Sequence, residues 1–169
     1  MKKNSATFCV AFVLVAIACK QERPNTPEVQ PPPAAITVKP AAPQGLSLPE
    51  RLTAEAQARP AAALRAENIF AAVVQTGVEI TERTQYLASS LGAGYCQNAK
   101  TKNDLSITVC EFESDEAATK GRAAALAAVP VANRRIEVHH ATTLQIIEAP
   151  PSVQSAKLAD AVVSAFNAL

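Results

Sequence analysis

The chain has 169 residues, 49% of them hydrophobic, and a formal net charge of +1. That length and apolar content allow one domain with a real core, while near-neutrality excludes a broad electrostatic attraction for nucleic acid or for an anionic membrane surface. With no Trp, two Tyr and five Phe, the core is expected to rely on alanine and on close helix-to-sheet packing.

The first element is an apolar run from Ala6 to Cys19. It is shorter than the ~20 residues of a transmembrane helix and matches the ~7–15 of a signal-peptide core. Lys2 and Lys3 supply the positive start, and Ala18 is the small residue before a cleavage point. Residues 1–18 therefore read as a signal peptide. Its end, "VAIAC" from Val15 to Cys19, resembles the lipobox of bacterial lipoproteins, with Ala16 standing where Leu is commonest. The resemblance covers the first 19 residues. It implies that Cys19 carries lipid on its thiol, becomes the mature N-terminus and makes the membrane a partner. Several acyl chains on one residue anchor stably, whereas one binds only marginally. It also implies a bacterial cell-envelope location. Lys20, rather than Asp, after the cysteine leans towards the outer membrane over the inner. The alternative is ordinary secretion with Cys19 left as a plain cysteine. From Cys19 onward 151 residues remain, with a formal charge of −1.

Residues 19–46 form the lipid anchor and a proline-rich tether. Eight of the twelve prolines lie between Pro24 and Pro49. Such a segment packs no core and favours extended polyproline-like backbone. At ~3.1 Å per residue, about 30 residues reach at most ~90 Å. A bland spacer is the plain reading; a docking site for a proline-binding partner is the alternative.

A single α+β domain is expected over 47–169. "SLPE" places Ser47 three residues before Glu50, a capping box with Pro in the first turn of a short helix. Pro60 interrupts that helix and can restart a second one at its own first turn. There Ala63, Ala66, Phe70, Val73 and Val74 form an apolar stripe, and Gly77 is the stop. Val78 to Leu87 reads as a strand and Ser89 to Gly94 as a loop.

The next piece, "YCQNAKTKNDLSITVCEF", reads as a hairpin folded about Asn103. Residues whose numbers sum to 206 then face one another, so Cys96 opposes Cys110, Asn98 opposes Thr108 and Ala99 opposes Ile107. Opposed residues have Cβ atoms about 4.5–5.5 Å apart, near the ~3.5–4.5 Å a disulfide needs. Cys9 leaves with the signal peptide and Cys19 goes to lipid, so an oxidised Cys96–Cys110 pair is the default in the envelope. In this register Leu105, Ile107 and Val109 share one face with Ala99. The two cysteines, Thr108 and Phe112 share the other.

Ser114 caps an Ala-rich helix that stops before Pro130. Arg134 to His140 and Thr143 to Glu148 form a second hairpin, ended by Pro150 and Pro151. Ser152 caps the last helix, with Leu158, Ala161, Val162, Ala165 and Leu169 as its stripe. The order from Tyr95 is two ββα units, a circular permutation of the ferredoxin-like βαββαβ order, preceded by N-terminal helices and an extra strand. The permuted sheet, antiparallel or mixed, should centre on "LSITVCEF" and "TLQIIEA", with both later helices on one face. The disulfide face would then need another cover: the N-terminal helices, a second copy of the chain forming a homodimer, or a ligand.

Chemistry-bearing residues are few. His139 and His140 are the only histidines. On a regular strand they would point to opposite faces and could not chelate one ion; irregularity at a hairpin end could relax that, but no Cys or His partner stands at ligand spacing, so no metal site is expected. There is no G-x-S-x-G elbow, "GAG" at Gly92–Gly94 leads into no helix, and Cys96 and Cys110 form no C-x-x-C. Glu79, Glu82 and Arg83 read as solvated strand-edge charges. Arg134 and Arg135 read as an anion site or as edge protection. No catalytic residue and no cofactor is implied. The expected role is a non-catalytic interaction or structural module of the envelope, with an envelope protein as partner. A small-ligand carrier is the second reading and an envelope enzyme the third.

Overall fold

A computed structural model describes residues 45–128 and 131–169. The expected signal peptide, Cys19 and most of the expected tether lie outside the described residues. Helices α1 (Leu48–Gln57) and α2 (Ala66–Gln75) lead to strand β1 (Ile80–Tyr86) and a 3₁₀ turn at Ala88–Leu91. Strands β2 (Tyr95–Thr101) and β3 (Leu105–Glu111), helix α3 (Asp115–Ala128), strands β4 (Arg134–His139) and β5 (Thr142–Glu148) and helix α4 (Val153–Asn167) follow. None of these helices is long and apolar enough to cross a membrane.

The five strands form one sheet in the order β1-β2-β3-β5-β4, antiparallel throughout. The fold is α+β, and the last four strands take the order of the permuted ferredoxin-like scheme. The central pair β3 and β5 are the strands whose apolar residues are needed on both sides of the sheet. The extra strand β1 adds to the outer edge of β2. The hairpin closes in the register anticipated from its turn: Cys96 pairs with Cys110, Asn98 with Thr108 and Ala99 with Ile107.

Two apolar clusters lie on opposite faces. On the first, Ile69, Phe70 and Val73 of α2 and Val162 and Phe166 of α4 pack on Ala99, Ile107, Val109 and Leu144. On the second, Ala118 of α3 packs with Ala88, Ala93, Phe112 and the Cys96–Cys110 pair. The expectation that both later helices share one face is therefore wrong. The disulfide face is too apolar to stay bare, since Cys96, Cys110 and Phe112 are all buried. The small residues of α3 fit against it, while α2 takes the place beside α4 on the first face. Cover thus comes from α3 and the 3₁₀ turn, not from the N-terminal helices.

Two local expectations also shift. The second helix begins at Ala66, not at Pro60. Pro60 lies so close to Gly94 that a Cβ there would fall 2.6 Å from the proline Cγ, so the chain from 58 to 65 crosses the end of the sheet as an irregular strap. In α4 the buried stripe is Ser155, Ala159, Val162 and Phe166, not the set ending in Leu169. The Ser155 hydroxyl donates to the buried Glu148 carboxylate at 2.8 Å, which turns the helix so that Phe166 enters the core. The capping of α1 is as expected, with the Glu50 carboxylate accepting from the Ser47 backbone N–H at 2.7 Å. Gly77 takes a positive φ of 86° just past α2, where a side chain would be strained.

Candidate functional site

Strand alternation sends Cys96 and Asn98 from β2, Thr108 and Cys110 from β3, Thr143 and Gln145 from β5, and Arg134 and Ile136 from β4 to the disulfide face. Helix α3 lies over part of that face. At Gly121 it packs so tightly that a Cβ would fall 2.4 Å from the Phe112 ring. Beside this contact the helix and sheet diverge, leaving a groove of about 170 Å³ lined in part by Tyr86, Thr108, Arg122, Ala125, Arg134 and Gln145.

The groove is cationic. The Arg122 Nε–H donates to the Ile136 carbonyl at 2.8 Å, and an Arg134 Nη2–H to the Leu126 carbonyl at 3.3 Å. The buried Arg134 Nε has no acceptor among the described residues. Neither arginine pairs with a carboxylate among the described residues. Burial pushes the Tyr86 phenol above its ordinary pKa, with a hydrogen bond to Thr108 opposing the shift. Next to the groove, the Asn98 amide bridges the strands, donating to Ser106 Oγ at 2.9 Å and Thr108 Oγ1 at 3.0 Å.

A second polar cluster lies on the opposite face. Glu111 is fully buried. One carboxylate oxygen accepts from an Arg59 Nη2–H and from the Ala66 backbone N–H, the latter at 2.9 Å. The other accepts from Arg59 Nε at 3.0 Å and Arg65 Nη1 at 3.2 Å. Arg59 also lies over the Tyr95 ring, 4.0 Å from its centroid, and binds both oxygens of Glu67 at 2.7 Å. These bonds raise Arg59 above its ordinary pKa and hold the Glu67 carboxyl below the usual range. This carboxylate fixes the strap to the end of β3.

Cys96 and Cys110 form a disulfide with Cα atoms 4.2 Å apart, the close spacing of a non-hydrogen-bonded pair. Cys19 lies outside the described residues. The two histidines do not diverge as strand neighbours would. His140 is in the β4–β5 turn, and its ring centroid is 4.1 Å from that of His139. His139 packs edge-on to Phe166. Among the described residues no three His, Cys, Asp or Glu side chains gather as metal ligands. Glu79 and Glu82 pair with Lys102 and Lys100 at 3.1 and 2.9 Å. Arg135 turns to the first face and binds Asp160, so the adjacent arginines separate.

Two features went unread in the sequence. Glu111 shares the face of Ile107 and Val109, a position where an acid must be paired. Arg122 follows Ala118 at i+4 and precedes Ala125 at i+3, beside the small-residue stripe of α3. Both signals are visible once the helix and strand faces are assigned. Comparison with protein families, with characterised proteins and with solved structures found no match.

Proposed function

We propose that the protein is a lipid-anchored module of the bacterial cell envelope that works by binding rather than by catalysis. The observation that carries this reading is the closed, buried Cys96–Cys110 bond. It suits an oxidising compartment and leaves Cys19, at the end of the lipobox-like stretch, as the cysteine for lipid. The commitment of Glu111 and Glu148 to partners inside the fold supports a non-catalytic role. An envelope protein is the partner this reading names, and the outer membrane its location. The groove beside α3 favours the carrier reading as the second. Metabolic labelling with a fatty-acid analogue tests the anchor. Wild-type protein should take up label and fractionate with membranes, and Cys19→Ala should lose both. Unlabelled wild-type protein overturns the assignment.

A further inference from the structure

We propose that the groove between α3 and the disulfide face binds a small organic monocarboxylate, with the carboxylate held by Arg122 and Arg134 and its apolar body against Leu91, Ala125 and Ile136. The inference rests on reading the domain as a binding module and is independent of the anchor. Charge is the first argument: among the described residues two guanidinium groups line the groove and no carboxylate does. Arg135, one residue on, shows how an arginine is neutralised in this fold, by Asp160 and, at 3.9 Å, Glu148.

The second argument is the Arg134 Nε–H, buried and without an acceptor among the described residues. An unpaired buried donor costs about 1–3 kcal/mol and more when charged, and such groups call for a partner. The hydrogen bond from Arg134 to the Leu126 carbonyl suits a cation at a helix C-terminus, yet uses one of the five N–H groups of the guanidinium. Shape and polarity select among anions. The groove of about 170 Å³ is close to the ~150 Å³ that accommodates benzene. Its walls include Leu91, Ala125, Ile136 and Cys110. Inorganic phosphate would leave that surface uncovered; a carboxylate on a short apolar body covers it and accepts from a guanidinium through both oxygens.

The test uses the full chain in zwitterionic micelles, with benzoate as probe and the arginine Nε–H signals read by ¹H–¹⁵N NMR. Benzoate should shift Arg122 and Arg134 saturably, with a Kd in the millimolar range or tighter. Benzamide and inorganic phosphate should bind at least about tenfold more weakly, a difference of ~1.4 kcal/mol. Arg134→Gln should weaken benzoate about tenfold or more. Because that change also removes a contact to α3, Ala125→Leu is the second variant: it fills the groove from the half-buried side of the helix and should abolish the shifts without lowering the melting temperature. Arg135→Gln should bind as the wild type does. No saturable shift, equal binding of benzamide or phosphate, or undiminished binding by Ala125→Leu would each overturn the proposal. The fatty-acid labelling result would stand in every case.

Discussion

At the residue scale, the turn between β4 and β5 is the least expected conformation. His140 and Ala141 both have positive φ, 43° and 54°, the pattern of a type I′ hairpin turn, which favours Asn-Gly or Asp-Gly. Elsewhere the chain follows that preference, with Asp104 and Asn133 at φ of 58° and 60°. Here the turn is held from outside. Ala141 donates to the Asp115 carboxylate at 2.6 Å, its carbonyl accepts from Phe112 at 2.8 Å, and Leu64 donates to the Thr142 hydroxyl at 2.9 Å. The left-handed region costs an ordinary residue roughly 1–2 kcal/mol, partly offset by the entropy a glycine would lose. His140→Gly should therefore raise stability by about 0.5–1 kcal/mol in chemical denaturation; a loss of stability would mean that the exposed His140 ring makes up for its backbone. Glu111 is the opposite case, a residue with no slack. Glu111→Gln removes the charge that Arg59 and Arg65 share. Breaking a buried pair costs about 3–5 kcal/mol, and because Arg59 keeps Glu67 the expected loss is near the low end, about 3 kcal/mol. A change under about 1 kcal/mol would show that the strap does not depend on this carboxylate.

At the element scale, the β2–β3 hairpin was the most legible part of the chain. Its turn residues, the alternation of Leu105, Ile107 and Val109, and the two cysteines all specify one register, and a slip of one residue would send each to the wrong face. The bond it closes should stabilise the domain by ~2–5 kcal/mol, as in small secreted domains. Replacing Cys96 and Cys110 together with Ala should lower stability by that amount, and mass spectrometry of the unreduced chain should show the two linked within one molecule. Linkage between chains would contradict the pairing. Helix placement was less legible for a physical reason. A stripe such as Ala118, Gly121 and Ala125 states which side of α3 is small, but not which sheet face has room. That depended on α2, whose Ile69 and Phe70 had already filled the first face. The rotation of α4 was hidden likewise, because Ser155 turns inward only where Glu148 waits for it. The groove inherits this: Arg134 drew notice from the sequence, whereas Arg122 gained meaning only once α3 was set on the disulfide face.

At the scale of the whole molecule, the strap over 58–65 is tied to the end of β3 through charge, by Arg59 and Arg65 on Glu111. Glu50 and Glu67 both lie below the usual carboxyl range, Glu50 because the Ser47 hydroxyl and N–H donate to it and Glu67 because Arg59 does. A folded-state pKa below the unfolded value means that the folded chain binds fewer protons. The stability these groups contribute is fully present above an unfolded pKa of about 4.3 and is lost as pH falls through their folded values. The melting temperature should thus hold between roughly pH 7 and 5 and decline below about 4.3, with part of the decline absent in Glu67→Gln. An unchanged profile in that variant would remove the ion pair from the acid response. The strap also bears on mechanics. Helix α1 buries no residue and touches the rest through polar contacts, among them Glu55 accepting from the Ala88 and Ser89 N–H groups at 2.9 and 3.1 Å. Any pull entering the domain at residue 45 therefore meets a weak grip first and a strong one second. Helix α1 can peel away like a frayed rope end while the sheet stays whole, and the tear stops where Arg59 and Arg65 hold Glu111. Peeling would release the 10 residues of α1 before the body of the domain feels the load.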